Sequence, residues 1–255
     1  MAAAEYVVPW RGSRRLGGAL AARPEWWVYL LSAGAWAALG LAILDPGTSA
    51  SRGHHTHGAQ VAASSVTSDS AFFLLMIAAM MLPLVAPAVR YVVRATLWRR
   101  RHRMAAYYVA GFGAAWAAFG VVAVGARTAL HIPVDHAGWI AGTAALAALW
   151  QAQKVRRRAL RRCGDRPGLG LSGWRASCRA LQAGGRHGAR CVATCGPSML
   201  LMCVTHNVLF MVAVFGLQGY ERRAGPNPFA EQRWQAPATA YATIAAIAAV
   251  NATLA

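Results

Sequence analysis

The sequence predicts an all-α protein, a polytopic bundle of about six transmembrane helices with both termini in the cytoplasm. The chain of 255 residues is 57% hydrophobic and 13% charged, whereas a soluble domain usually carries about 25% charged residues. The apolar residues are gathered in long blocks, and the basic residues lie in short segments between those blocks. This combination is typical of a multi-pass membrane protein, because each helix must fill an apolar bilayer core of about 30 Å.

Six apolar blocks define the predicted spans. The first opens with WWVYLL, whose aromatic side chains suit a membrane–water interface. The third contains GFGAAWAAFG, in which Gly111 and Ala115 share one helix face and permit another helix to approach closely. The fourth is short and the sixth is rich in alanine. The blocks cover residues 26–44, 71–93, 105–126, 137–153, 191–217 and 237–255.

The basic residues orient these spans. If the spans alternate in direction, 21 basic residues lie on one side of the membrane and five lie on the other. The positive-inside rule places the richer side in the cytoplasm. We therefore expect a multi-pass protein of the cell (cytoplasmic) membrane, with the lipid bilayer as its immediate partner.

The chain divides into an arm and one membrane domain. Residues 1–25 form a basic cytoplasmic arm, and residues 26–255 form an integral membrane domain with an outer loop at 45–70 and a basic cytoplasmic loop at 154–190. The first apolar segment is too long for a signal peptide, so we expect it to be retained. The net charge of +18 could indicate nucleic-acid binding, but its confinement between apolar blocks favours membrane topology. No nucleic-acid partner is expected, and the oligomeric state stays open.

Sulfur and imidazole groups are concentrated in the fifth span, within RCVATCGPSMLLMCVTH at residues 190–206. At about 100° per residue, five of these groups fall within roughly 80° of one another around the helix. Thiol and thioether ligands are soft and favour copper(I), which imidazole also binds. Pro197 lies among them and removes one backbone donor, which should free a carbonyl group there. The predicted metal stripe consists of Cys191, Cys195, Met199, Met202 and His206.

A methionine cluster lies in the second span, within LLMIAAMMLP. Met76 and Met80 are four residues apart and share a helix face, with Met81 beside them and Pro83 within a turn. Counted along the two spans, this cluster and the stripe both lie near mid-membrane, so the two could converge on one ion. Cys and Met are also ordinary apolar fillers of helical cores, so the alternative interpretation of both sets is packing.

A histidine cluster lies in the predicted outer loop, within RGHHTHG. His54, His55 and His57 are three imidazoles in four residues, flanked by glycine. Such a cluster could capture copper(II) or zinc from the exterior. The alternative interpretation is a solvated polar loop.

The sequence lacks the signatures of common enzymes. It contains no phosphate-binding glycine loop, no H-E-x-x-H motif and no nucleophile elbow. The eight acidic residues leave little material for an acid–base relay, and Glu221 is expected to pair with the two arginines that follow it. The five cysteines include no C-x-x-C pair and indicate neither a zinc site nor a disulfide framework. The sequence therefore favours a protein without catalytic activity.

Four motifs between residues 71 and 221 resemble those of a known family, the predicted metal-binding integral membrane proteins (domain of unknown function 2182). MIAAMMLPLVAP is similar to the family's methionine–proline signature, and AGFGAAWAAF to its Gly-aromatic-x-x-x-Trp span. WQAQKVRRRALRRC resembles its Gln-Lys-Cys linker, and RHGARCVATCGPSM resembles its His-Gly followed by cysteines and methionine. The matching positions are Met76, Met80, Met81, Pro83, Pro87, Gly111, Phe112, Trp116, Gln151, Lys154, Cys163, His187, Gly188, Cys191, Cys195 and Met199.

The chain departs from the family pattern at three positions. Thr194 stands where the family often has a second, adjacent cysteine, Gly196 stands where it has tryptophan, and His206 replaces a methionine before Asn207. The resemblance implies metal binding, with copper the usual metal, and it adds His187 to the candidate metal ligands.

The predicted function is copper(I) handling through the stripe on the fifth span. The protein would deliver copper to a copper-dependent membrane or envelope enzyme, or carry it across the membrane. One alternative is a non-catalytic structural or assembly subunit of a membrane complex, in which the sulfur residues are packing. Another is a membrane oxidase that uses copper as its cofactor.

Overall fold

The computed structural model describes residues 23–44, 59–132, 136–163, 173–205, 208–223, 238–244 and 246–247. All the regular structure in these residues is helical, which confirms the all-α prediction. A 3₁₀ turn at Trp98–Arg100 precedes the third helix, and residues 238–244 are also helical. The other helices are α1 (Trp26–Leu44), α2 (Ala59–Arg94), α3 (Arg101–Ala129), α4 (Ala137–Ala152), α5 (Lys154–Cys163), α6 (Gly173–Val204) and α7 (Val208–Arg223).

Two of the described helical stretches are long and apolar enough to cross a bilayer, Thr67–Arg94 and Trp98–Ala129. A shorter apolar stretch covers Trp26–Ala42 in α1. These assignments follow from length and composition. The count of six spans, their orientation and the extent of the arm and loops therefore stay predictions, and part of the arm (residues 1–22) lies outside the described residues.

Among the described helices the most extensive contact joins α3 and α6. The two helices run parallel, because Met104 contacts Ser177 near their starts and Arg127 contacts Cys203 near their ends. Glycine permits this contact: a Cβ atom added at Gly111 would collide with the Leu181 carbonyl oxygen, and one added at Gly184 would collide with the Tyr108 carbonyl oxygen. The two backbones therefore touch without intervening side chains. The close approach predicted from Gly111 in the third span is confirmed.

Helix α2 runs antiparallel to α6, and two contacts fix their register. Met81 contacts Cys191, and Arg127 of α3 links Asp69 of α2 to the carbonyl oxygen of Cys203 of α6. The two contacts are twelve residues apart on each helix, a rise of about 18 Å. The methionine-bearing turns of α2 therefore lie level with the cysteine- and methionine-bearing turns of α6.

Proline residues inside α2 and α6 leave carbonyl groups that neighbouring helices satisfy. Pro83 cannot donate to the carbonyl oxygen of Ala79, which instead accepts a hydrogen bond of 2.8 Å from the Ser32 hydroxyl. Pro197 leaves the carbonyl oxygen of Ala193, which accepts a bond of 2.8 Å from the Trp150 indole. The carbonyl predicted to be freed by Pro197 therefore becomes a contact between α6 and α4.

The predicted fifth span is not one helix. Helix α6 ends at Val204 and α7 begins at Val208, so the prediction of a continuous helix over 191–217 is wrong. Arg222, near the end of α7, contacts Cys191 in α6, which means that α7 folds back antiparallel to α6. The predicted cytoplasmic loop 154–190 also contains regular structure, α5 and the first half of α6, and the end of the predicted outer loop, from residue 59, belongs to α2.

Candidate metal centre

Three sulfur atoms converge where α2 crosses α6. The thiol Sγ of Cys191 lies 3.9 Å from the thioether Sδ of Met81, and Cys195 follows Cys191 by one helical turn on the same face. All three side chains are buried. The structure therefore brings two members of the predicted stripe together with one member of the predicted methionine cluster.

The spacing of these sulfur atoms suits a small, soft ion. Metal–sulfur bonds are about 2.3 Å long, so two sulfur ligands of a trigonal site lie about 4.0 Å apart. The distance between the Cys191 and Met81 sulfur atoms is 3.9 Å. Among the described residues no group of three or more His, Cys, Asp and Glu side chains could hold a metal. A site here would therefore depend on the methionine thioether as its third ligand.

A guanidinium group contacts both thiols. Nη2 of Arg222 lies 2.7 Å from Sγ of Cys191 and 3.9 Å from Sγ of Cys195. Nη1 of the same side chain donates to the carbonyl oxygen of Leu84 in α2, at 3.4 Å. The break after Val204 is what allows this arrangement, because it returns α7 to the level of Cys191.

A hydroxyl group lies between the two cysteines. The Thr194 hydroxyl donates to the carbonyl oxygen of Cys191 at 2.9 Å and lies 3.5 Å from Sγ of Cys195. Thr194 is the position at which related sequences were expected to carry an extra cysteine. Here the side chain contributes a hydrogen-bonding hydroxyl beside the thiols, and no third thiol from α6.

A buried ion pair supports the site from the side of α5. Nη2 of Arg156 lies 2.6 Å from Oε2 of Glu221, and Nε of Arg156 donates to the carbonyl oxygen of Thr194 at 3.1 Å. The two side chains are 2% and 8% exposed. Glu221 thus pairs with an arginine 65 residues earlier, and Arg222, one of the two arginines expected to pair with it, contacts the site thiols. This pair ties α5, α6 and α7 together next to Cys195.

The remaining sulfur residues of the two predicted sets are fully buried in the same core, without a described metal-binding contact. By the register of α2 and α6, Met199 and Met202 lie about 12 and 16 Å along the helix from Cys191. Met199 and Met202 lie on successive turns of α6 where it packs against α2, level with the methionines of α2. Their role as ligands stays a prediction for Met76, Met80, Met199 and Met202.

His187 is buried one turn before Cys191 in α6. Its Nδ1 atom lies 2.6 Å from the Tyr108 hydroxyl of α3, and its ring packs edge-on against Phe112. Its Nε2 atom is buried without a hydrogen-bond partner. The imidazole therefore has one nitrogen held by α3 and the other available, an arrangement compatible with the predicted ligand role.

The other predicted histidines lie outside the described residues. His206 falls between α6 and α7 in the sequence, and His54, His55 and His57 belong to the predicted outer loop. Their assignment as metal ligands stays a prediction. The angular argument that joined His206 to the stripe assumed a continuous helix, which ends before that residue.

Sequence reasoning missed three residues of this site. Arg156 was counted only among the basic residues that orient the spans, Arg222 was expected only to pair with Glu221, and nothing in the sequence marks either arginine as buried. Cys163, at the end of α5, was not among the predicted metal ligands, yet it interacts with the Thr194 hydroxyl and is partly buried. Burial raises the pKa of the Cys163 thiol above its ordinary value, and the nearby Arg222 guanidinium opposes this rise. The resemblance of the α5 segment to the family's linker was the available signal for Cys163.

Thiol and thioether ligands are soft and favour soft ions such as copper(I). Comparison with protein families agrees: a family described as PpoB2, copper chaperone, matches residues 70–249. The match covers well over half of the chain, and the chain belongs to this copper chaperone family. The copper-related part of the sequence-based resemblance is therefore confirmed. Comparison with curated proteins found no match, and comparison with solved structures found none.

Proposed function

We propose that this protein is a membrane-embedded copper(I) chaperone that holds the ion between Cys191, Cys195 and Met81 and passes it to a copper-dependent enzyme of the membrane or envelope. The observation that carries the proposal is the convergence of these three buried sulfur atoms at the crossing of α2 and α6. Membership of the copper chaperone family supplies the class of cargo. The copper ion is the cargo of the protein and not a resident cofactor.

The choice of copper(I) follows from the chemistry of the ligands. Thiolate and thioether sulfur are soft donors that select copper(I) over harder ions. Zinc sites usually have four ligands in a tetrahedron, and the described residues provide no such set of His, Cys, Asp and Glu side chains. Two thiols and one thioether match the low coordination number of copper(I).

A chaperone must also release its cargo, and two features favour release. The Met81 thioether is a neutral ligand, so it can leave the ion without a cost in charge separation. The Cys163 thiol, which is only partly buried, lies next to Thr194 and thus beside the site. We expect copper to pass between thiols through Cys163, because exchange between neighbouring sulfur ligands never leaves the ion bare.

The location in a membrane is supported by the outward faces of the helices. Large apolar side chains are exposed on α1, α2, α3 and α4, where water would disfavour them and lipid would not. The basic residues of the turn before α3 lie at one end of these helices, as expected for a headgroup region. The exposed apolar residues include Leu30, Leu31, Leu41, Leu74, Val121, Val122, Leu146 and Leu149.

Copper(I) binding by the purified, reduced protein in detergent tests the proposal. We expect one tightly bound copper(I) per chain, measured by competition with a chromophoric copper(I) chelator. Replacing both site thiols (Cys191→Ser with Cys195→Ser) should remove this binding, and Met81→Leu should weaken it by about tenfold or more. Matched controls are Cys203→Ser, about 18 Å along α6 from Cys191, and Met104→Leu, a buried methionine that accepts a contact from Ser177.

Each outcome decides between the functions considered. Loss of binding in the site variants and normal binding in the controls supports the chaperone. Full binding in the double cysteine variant would contradict the site and favour a structural or assembly subunit in which these sulfur residues are packing. Oxidation of a substrate at a rate that depends on bound copper would instead favour the oxidase alternative.

A further inference from the structure

We propose that Arg222 makes the site selective for an ion of single positive charge, independently of the softness of that ion. This inference rests on the proposed function, because it concerns the same three sulfur ligands. Softness alone cannot separate copper(I) from soft divalent ions, which thiolates also bind. The positive charge of Arg222 can separate monovalent from divalent ions, because the site is buried.

The position of Arg222 is fixed from two sides. Its Nη1 atom donates to the carbonyl oxygen of Leu84, and its Nη2 atom contacts both thiols, at 2.7 and 3.9 Å. A sulfur atom that ligates a metal retains lone pairs and can accept this hydrogen bond at the same time. The guanidinium can therefore stay beside the thiolates when an ion is bound.

The charges that face the site can be counted. Cys191 and Cys195 bind a metal as thiolates, which gives two negative charges, and Arg222 gives one positive charge. Arg156 and Glu221 lie beside Thr194 and neutralise each other. When a metal is bound, the two thiolates and Arg222 together contribute one net negative charge, which a monovalent ion cancels and a divalent ion turns into one net positive charge.

Burial of a group of charges costs much more free energy when the group keeps an uncompensated net charge than when its charges cancel. An ion with one extra positive charge about 5 Å from the Arg222 guanidinium is disfavoured on the order of a hundredfold in affinity at an effective dielectric constant of about 20. Arg222 should therefore admit copper(I) and silver(I) and reject cadmium(II), although cadmium(II) is also soft and binds thiolates. Removal of the charge should shift the preference toward the divalent ion.

The test measures silver(I) and cadmium(II) binding to the detergent-purified, reduced protein. Wild-type protein should bind silver(I) far more tightly than cadmium(II). Arg222→Gln should lower the ratio of the two affinities by about a hundredfold, and Arg222→Lys, which keeps the charge, should retain most of the ratio. The matched control is Arg94→Gln, which removes one positive charge from an exposed position at the end of α2.

The outcomes separate this inference from the proposed function. If wild-type protein binds neither silver(I) nor copper(I), the proposed function fails. If it binds both but binds cadmium(II) equally tightly, or if Arg222→Gln leaves the ratio unchanged, only the selectivity inference fails. Should Arg222→Gln fail to fold, Arg222→Leu offers an apolar replacement, and the cadmium(II) affinity of the wild-type protein by itself can overturn the inference.

Discussion

The buried ion pair between Arg156 and Glu221 should be a main determinant of where α7 lies. Arg156→Met would leave the Glu221 carboxylate buried, 8% exposed, without its cation. Removing one partner of such a pair typically costs about 3–5 kcal/mol, because the remaining charge is desolvated and uncompensated. The lost hydrogen bond from Nε of Arg156 to the Thr194 carbonyl oxygen adds about 1 kcal/mol. The variant should therefore be strongly destabilised around α5, α6 and α7.

Thermal unfolding in detergent, followed by circular dichroism, measures this effect. For a chain of this size, the expected loss corresponds to a fall on the order of 10 °C in the unfolding midpoint. The double variant Arg156→Met with Glu221→Leu should recover much of the loss, because apolar side chains of similar volume replace a buried pair at little cost. A single variant with an unchanged midpoint, or a double variant less stable than the single one, would refute the reasoning.

Three further predictions follow from the packing and from the proposed cargo. Gly184→Ala should destabilise the protein by about 1–3 kcal/mol, because the added methyl group meets backbone atoms of α3. The control Gly113→Ala, with nothing within 4 Å of the new atom, should be neutral or stabilising by about 0.5–1 kcal/mol. Thermal unfolding of both variants measures the difference. Trp150→Phe removes the donor to the Ala193 carbonyl oxygen that Pro197 leaves unpaired and should cost about 1 kcal/mol; an unchanged midpoint would mean that this bond contributes nothing. Copper(I) at a free concentration a hundred times its Kd should raise the stability by about 2.7 kcal/mol, and a midpoint that does not move with copper would argue against binding to the folded state.

The helical class and the copper-related family follow from local features of the sequence. Long apolar blocks with few charges specify helices, because backbone groups in apolar surroundings must be satisfied within each helix. The grouping of Cys191 with Cys195, and of Met80 with Met81, is visible from spacing alone. The close contact at Gly111 is also predictable, because glycine and other small residues on one helix face let a second helix backbone approach closely.

The hairpin between α6 and α7 was not recognised in the sequence. Residues 191–217 are largely apolar, but Thr205, His206 and Asn207 form a short polar run within them, and this run was the available signal of a break. Helix α6 ends at Val204 and α7 begins at Val208, and only the contact of Arg222 with Cys191 shows that α7 returns toward that residue. Helix packing also decides which of many arginines is buried: the basic pattern of α5 is the same for Arg156 and for its exposed neighbour Arg158.

The sequence by itself therefore determined the type of element and the type of ligand, because helix formation and the softness of sulfur are properties of neighbouring residues. Only the tertiary structure decided which sulfur atoms meet, because the pairing of Met81 with Cys191 depends on the register of two helices joined through a distant third. It also decided that a guanidinium lies beside both thiols, because α7 reaches them only after the chain reverses direction. The net charge of a buried site is the sum of the charges of all the groups that fold around it, and only the three-dimensional arrangement determines which groups those are.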